Sequence, residues 1–247
     1  METANPALRP GTFRYGRADL ARGGMSVQGT VNKTLLLLLL VILTASWTWS
    51  IFFKTGAPQA VMPLLLAGVI GGLIVGLVTV FKPAWAPVTA PIYGLLEGLV
   101  IGGVSSFAEA QFPGIVVQAV GLTFGVCLAM LFAYKSGLVR ATEKFKLGVV
   151  AATGGIALVY LISLILGLFQ VRVPYIFGSG LIGIVFSVIV CVIAALNLVL
   201  DFDMIESGAA RGAPKFMEWY GAFALMVTLI WLYLEILRLL AKLRSRD

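Results

Sequence analysis

The chain has 247 residues, of which 60% are hydrophobic and only 12% are charged, and its mean hydropathy is +1.02. Soluble domains carry about 25% charged residues, so this composition excludes an ordinary water-soluble protein. The formal net charge of +7 comes from basic residues that stand singly or in small groups between apolar runs. That pattern is typical of topology markers in a membrane protein and excludes a nucleic-acid-binding face.

The amino-terminal segment is basic and lacks a long apolar run. Residues 1–32 contain four arginines among Gly, Pro, Ala and Thr, with no apolar core of the signal-peptide kind. We therefore expect a disordered or surface-lying tail over residues 1–32 and one transmembrane domain over residues 33–247. The first apolar run, residues 34–53, is long enough to cross a bilayer and is interpreted as a retained helix.

Seven apolar runs of bilayer-spanning length follow one another along the chain. Windows of about 19 residues place them at 34–53, 60–81, 88–107, 114–134, 147–169, 180–200 and 216–237. Short segments rich in Gly, Pro and charged residues separate them, so consecutive helices should pack antiparallel. The predicted fold is all-α, a polytopic membrane protein with about seven transmembrane helices.

The distribution of Lys and Arg predicts the orientation. With a cytoplasmic amino terminus, twelve basic residues lie inside and six outside, which favours that orientation. The inner set is Arg9, Arg14, Arg17, Arg22, Lys33, Lys82, Lys135, Arg140, Lys144, Lys146, Arg211 and Lys215, and the outer set is Lys54, Arg172, Arg238, Lys242, Arg244 and Arg246. The basic carboxyl end leaves two possibilities: the last helix crosses the membrane, or it is re-entrant and returns to the inside.

Small residues recur at every fourth position in three of the runs. In lipid such stripes let helix backbones approach closely, so they predict three tight interhelical faces. The stripes are Gly68, Gly72 and Gly76; Gly94, Gly98 and Gly102; and Gly121, Gly125, Ala129 and Ala133.

Several kinds of chemistry are missing from the sequence. The chain has no histidine, which excludes His-based triads and HExxH zinc sites, and it has neither a GxxxxGK phosphate loop nor a CxxC pair. Cys127 and Cys191 fall inside apolar runs, where a thiol usually serves as a small packing residue. We therefore expect a protein that is not an enzyme and needs no cofactor, with carboxylates as the candidates for function.

Glu97 lies near the middle of the third apolar run. A charged side chain at that depth costs about 2.5–3.5 kcal/mol on the lower scale and by default suggests a functional site. The neighbouring glycines place it on or beside the packed helix face. The alternative is a structural role, in which a protonated Glu97 is hydrogen-bonded inside the bundle.

Three acids cluster where the sixth run ends. On a continuing helix Asp201 and Asp203 differ by about 200° and face different surroundings, while Ala194 and Asn197 lie on the same side as Asp201. Asp201 thus extends a small, polar stripe toward the bundle. The simplest interpretation of Asp203 and Glu206 is a solvated helix end.

Two further acids belong to the last run. Glu235 precedes Arg238 by three residues, so a local ion pair is the structural alternative to a functional role. Glu218 stands beside Lys215 and Trp219 and is interpreted as an interfacial anchor.

Three segments resemble the Bax inhibitor-1 family, in its bacterial YccA-like branch. They are Asp-Phe-Asp-Met-Ile at 201–205, Gly-Leu-Val-Arg-Ala-Thr-Glu-Lys at 137–144 and Leu-Tyr-Leu-Glu-Ile-Leu at 232–237. The resemblance implies a seven-helix fold with the last helix packed within the other six, and a calcium leak pathway gated by a pH-sensitive pair of acids. Asp201 matches the first acid of that pair, and Glu235 matches the second by its local pattern.

The length of the last helix argues against Glu235 as the partner of Asp201. From a start near Phe216, Glu235 is about 28 Å along the last helix, whereas Asp201 was placed at the inner membrane edge. Counting without gaps from Asp201 brings residues 225–227 opposite it, and no acid is there. Either the last helix begins later than residue 216, or Asp201 works with Glu97 or Glu218.

These observations lead to one functional expectation and one rival. We expect a pH-sensitive cation leak channel in a bacterial inner membrane, with calcium as the first candidate ion because carboxylate oxygens suit it. The candidate ion ligands are Asp201, Glu235 and Glu97, and the candidate pH sensors or gates are Asp201, Glu235 and Asp203. The rival is a non-conducting regulatory partner of a membrane protease, which would use the amino-terminal tail, residues 1–29.

Overall fold

A computed structural model describes residues 23–169 and 178–245 of the chain. Those residues form seven helices that are long and apolar enough to cross a membrane. We number them α1 (Val27–Thr55), α2 (Pro58–Phe81), α3 (Ala86–Gln111), α4 (Ile115–Lys135), α5 (Glu143–Leu168), α6 (Leu181–Ala210) and α7 (Met217–Arg244). The predicted all-α membrane fold is confirmed.

Several helices are longer than their apolar runs. The Ser26 side chain accepts a hydrogen bond from the Gly29 amide, so α1 begins at Val27 rather than at residue 34. It ends before Gly56, whose φ of 63° suits a left-handed helix cap. The sixth helix continues to Ala210 instead of ending at residue 200. Residues 1–22, most of the predicted tail, lie outside the described residues.

The last helix lies inside the bundle, as the resemblance implied. Helices α1, α3, α4 and α6 pack directly against α7, while α2 packs on α1 and α3, and α5 packs on α6. Half of the spanning window of α7 is buried, compared with 11% for α5. A hydrophobic cluster that includes Leu198 of α6 and Leu232 of α7 joins these two helices.

The α7 helix crosses the whole bundle. At the end of the bundle where α1 begins, which we call the first end, Glu218 of α7 pairs with Lys33 of α1. At the second end, Arg244 donates a 2.8 Å hydrogen bond to the carbonyl of Pro113, in the turn between α3 and α4. The last helix is thus continuous from one end of the bundle to the other.

Two of the three predicted glycine faces are tight. A Cβ added at Gly98 would collide with the α1 backbone, 3.0 Å from the Cα of Val41. A Cβ at Gly68 would lie 2.7 Å from the carbonyl of Leu96, so the α2 stripe faces α3. These contacts are the close approach that small residues permit in lipid.

The stripe on α4 is a wrong prediction. A Cβ added at Gly121 or Gly125 would meet nothing within 4 Å. The buried side of α4 carries Ile115, Ala119 and Thr123 instead. Positions 119 and 121 differ by about 200° around a helix, so the stripe faces away from the bundle.

Gly98→Ala tests the contact between α1 and α3. The added methyl group cannot be accommodated without moving the α1 backbone, so we expect a loss of about 1–3 kcal/mol. The matched control is Gly125→Ala, where the space is open and a helix gains from alanine. Thermal unfolding in detergent should show a lower midpoint for Gly98→Ala alone. Equal midpoints for the two variants would contradict this packing.

Candidate functional site

A cavity of about 590 Å³ lies between α2, α3, α6 and α7. On α7 its lining runs from Tyr220 to Thr228, about 12 Å along the helix from near the first end. Two acids from different helices, Glu97 of α3 and Asp201 of α6, line it. The other lining residues are Val69, Gly72, Leu73, Gly76, Val80, Tyr93, Val100, Phe223, Ala224 and Val227. We call this cavity the acidic vestibule.

The key side chains of the acidic vestibule lie at one depth. Glu97 is eleven residues from the start of α3 at Ala86, and Thr228 is eleven from the start of α7 at Met217. Asp201 is nine residues from the end of α6. At 1.5 Å per residue each is about 14–17 Å from the first end. Asp201 is therefore about 14 Å from the end of its helix, because α6 continues beyond it to Ala210.

Asp201 has an incomplete set of partners. Thr228 of α7 is within hydrogen-bonding reach of its carboxyl group. Its Oδ2 atom is buried and has no hydrogen-bond partner. A buried oxygen without a partner costs free energy, so it marks a place where a proton or a cation would be favourable.

Glu97 is half-buried and lies beside Tyr93 of its own helix and Gly72 of α2. Tyr93, four residues earlier on the same face, is within hydrogen-bonding reach of it. A Cβ added at Gly72 would lie 3.2 Å from Oε1 of Glu97, so the glycine leaves room for the carboxylate. A larger residue at position 72 would therefore displace the Glu97 carboxylate.

Glu235 lies away from the acidic vestibule. It is seven residues beyond Thr228, about 10 Å along α7. Its carboxylate accepts 2.8 and 2.9 Å hydrogen bonds from Arg238 and a 2.9 Å hydrogen bond from the Tyr160 hydroxyl. The local ion pair that the sequence offered as a structural alternative is present.

Asp203 and Glu206 face the fifth and fourth helices. Asp203 pairs with Lys146 at 2.9 Å, and Glu206 pairs with Lys135 at 3.0 Å. The predicted separation of Asp203 from Asp201 around the helix is therefore present. Asn197, predicted to face the bundle with Asp201, donates a 2.8 Å hydrogen bond from its amide to the Thr153 hydroxyl of α5.

Glu218, interpreted from the sequence as an interfacial anchor, is buried within the protein near the start of α7. Its side chain is 0% exposed. It forms ion pairs with Lys33 and, at 2.8 Å, with Lys215, and it accepts 2.9 and 2.8 Å hydrogen bonds from the backbone and hydroxyl of Ser26. Glu218 thus ties the start of α1 to the start of α7 at the first end.

Sequence reasoning missed Tyr93 and Thr228. Tyr93 was recognisable as the aromatic residue four positions before Glu97 on one helix face. Thr228 is a polar residue within an apolar stretch of α7, one residue beyond the 225–227 segment that ungapped counting places opposite Asp201.

The comparisons with known proteins give a family. The family model described as Bax inhibitor 1 like matches residues 5–245 of the chain. The chain belongs to this family. No curated protein matches it.

The vestibule offers a cation only two carboxylates. Within residues 23–169 and 178–245, no group of three or more His, Cys, Asp or Glu side chains could hold a metal ion. Calcium sites of high affinity use six to eight oxygen ligands. The arrangement of Glu97, Asp201 and nearby hydroxyl groups suits brief contact with a hydrated cation, or proton exchange, better than stable binding.

Glu218→Ala should be much more destabilising than removal of an exposed acid. Loss of Glu218 leaves Lys33, 19% exposed, without its buried partner, so we expect a cost of about 3 kcal/mol. Glu206→Ala removes a pair whose side chains are 49% and 56% exposed and should cost less than about 1 kcal/mol. Unfolding in detergent measures both, and equal losses would refute a structural role for Glu218.

Proposed function

We propose that the protein is a pH-sensitive cation leak channel, with calcium as the first candidate ion. The observation that carries the proposal is the acidic vestibule, where Glu97 of α3 and Asp201 of α6 line one cavity. Acids inside a transmembrane segment are expensive and commonly mark an ion or proton path. Carboxylate oxygens are also the ligands that calcium prefers.

Glu97 is the best-supported partner for Asp201. Glu218 and Glu235, the other acids considered, already pair with lysine or arginine side chains. An acid whose charge is balanced by a neighbouring cation attracts a second cation poorly. Glu97 instead has the neutral Tyr93 beside it and lines the same cavity as Asp201.

The proposed pH response acts through α7. When ionised, Asp201 can only accept hydrogen bonds, and its charge attracts a cation; when protonated, it can also donate. Because Thr228 of α7 is within its reach, a change in protonation alters a contact of the central helix. Such a change shifts the balance between two packings of the helix when they differ in this contact.

We further propose that the protein belongs to the bacterial YccA-like branch of the family and lies in the inner membrane with a cytoplasmic amino terminus. The twelve-to-six distribution of basic residues supports this orientation. In a background without Cys127 and Cys191, a cysteine at position 14 should stay unlabelled by an impermeant thiol reagent added to intact cells. Labelling from outside would refute the orientation.

A regulatory partner of a membrane protease is the alternative proposal. It would use an exposed amino-terminal tail, and residues 1–22 are not described. Gly24 pairs with Pro214, and the Met25 amide donates to the Ala213 carbonyl at 2.7 Å, so the segment just before α1 is packed against the turn between α6 and α7. A protein without ion flux in vesicles would favour this alternative.

Asp201→Asn tests the proposed sensor. The amide cannot ionise, so calcium flux from loaded vesicles should lose most of its pH dependence while the protein stays folded. Asp203→Asn is the matched control, because Asp203 is two residues away and pairs with Lys146 outside the vestibule. The control should keep the parent pH profile. An unchanged profile in Asp201→Asn, with flux present, would show that Asp201 is not the sensor.

A further inference from the structure

A second cavity, of about 450 Å³, lies on a different part of α7 and is lined by α1, α3, α4 and α7. Leu38 and Trp49 mark its extent along α1, and Leu229 and Tyr233 are among its α7 residues. It shares no lining residue with the acidic vestibule. We call this cavity the apolar groove.

The apolar groove spans about one leaflet. Trp49 is eleven residues beyond Leu38 on α1, a rise of about 16 Å, which is roughly half of a hydrocarbon core of about 30 Å. The groove begins near the middle of α1, at Leu38, and extends toward Thr55 at the second end. Trp49 lies at the end of the groove nearer the second end of the bundle. Tryptophan is enriched at membrane–water interfaces.

The polar side chains of the groove are largely occupied by the protein itself. Ser105 and Tyr233 share a 2.6 Å hydrogen bond. The two oxygens of Glu109 accept hydrogen bonds from the Gly114 and Val116 amides at the start of α4, at 2.6 and 3.1 Å. An occupant therefore needs no polar group to satisfy these side chains, and a hydrocarbon chain suits the groove.

The rim of the groove is continuous with the outer surface of the bundle. Ile42 of α1 and Val117 and Phe124 of α4 line it, and all three are exposed, with 54%, 76% and 47% of their surface accessible. In a spanning helix such residues face lipid hydrocarbon. The groove is therefore open to the one apolar material that surrounds the protein.

We propose that the apolar groove binds one acyl chain of a membrane phospholipid from the leaflet at the second end. Lipid tails are as apolar as the groove, so the gain comes from close packing in place of an empty cleft. The chain would lie against Leu229, Ile230 and Tyr233, directly after Thr228 on α7. This inference does not depend on ion conduction.

Two native tryptophans on α1 provide the test. Trp49 lines the groove, whereas Trp47 is 54% exposed and is not part of the lining. Single-tryptophan variants that keep one of the two, with the other four replaced by Phe, are loaded with mid-chain-brominated phosphatidylcholine. They are then diluted into vesicles of unbrominated phosphatidylcholine. Bromine quenches a tryptophan that it contacts, so fluorescence recovery reports lipid exchange at each site.

We expect Trp49 to recover at least about tenfold more slowly than Trp47, because a bound chain differs from bulk lipid mainly in its dissociation rate. Ser46→Phe fills the groove from α1 and should abolish the slow phase. Leu43→Phe, on the 65% exposed lipid-facing side, should retain it. If Ser46→Phe does not fold, Val120→Phe fills the groove from α4. Parallel recovery of Trp47 and Trp49, or a slow phase that survives filling, would overturn the proposal.

Discussion

Within a membrane a polar side chain must find its partners inside the protein, because hydrocarbon offers none. The central helix α7 follows this constraint along its length, with several of its buried polar groups matched to a neighbouring helix. The matches are Glu218 with Lys33, Tyr233 with Ser105, Glu235 with Tyr160, and Lys242 with the Gly183 carbonyl and Ser187. These contacts connect α7 to α1, α3, α5 and α6 at several depths.

Asp201 departs from that pattern. Among the buried side-chain nitrogen and oxygen atoms of the described residues, its Oδ2 is the one left without a hydrogen-bond partner. The other acids of α6, Asp203 and Glu206, have lysine partners. The same physical rule separates the acids that pair with lysine or arginine, and Glu109 with its two amide donors, from Glu97 and Asp201, which line one cavity. Our functional proposal rests on this difference.

Sequence reasoning predicted the seven helices well because hydrocarbon demands long apolar runs. It predicted helix ends poorly, since α6 continues past its apolar run through Asp203 and Glu206, whose charges are balanced by Lys146 and Lys135. Periodicity found the glycine faces of α2 and α3, but the same period on α4 marks an outer face. A stripe shows that a close approach is possible and does not show which neighbour makes it.

The site was partly predictable. Asp201 and Glu97 stood out as acids in apolar runs, and helix length already argued against Glu235 as the partner of Asp201. The burial of Glu218 depends on the start of α1 and on Lys33, 185 residues earlier in the chain. No local pattern contains such a contact. Sequence reasoning missed Thr228 because its role also depends on a residue of another helix, Asp201 of α6.

A double-mutant cycle between Glu97 and Asp201 tests most directly whether these acids form one site. Calcium flux at two pH values would be measured in vesicles for Glu97→Gln, Asp201→Asn and the double variant, with Asp203→Asn in place of Glu97→Gln as the control cycle. Residues that share a site show coupled effects, whereas separate residues are additive. We predict that Glu97→Gln changes flux far less once Asp201 is neutral, while the control cycle is additive. Additive effects of Glu97→Gln and Asp201→Asn, in protein that conducts, would contradict a shared vestibule site.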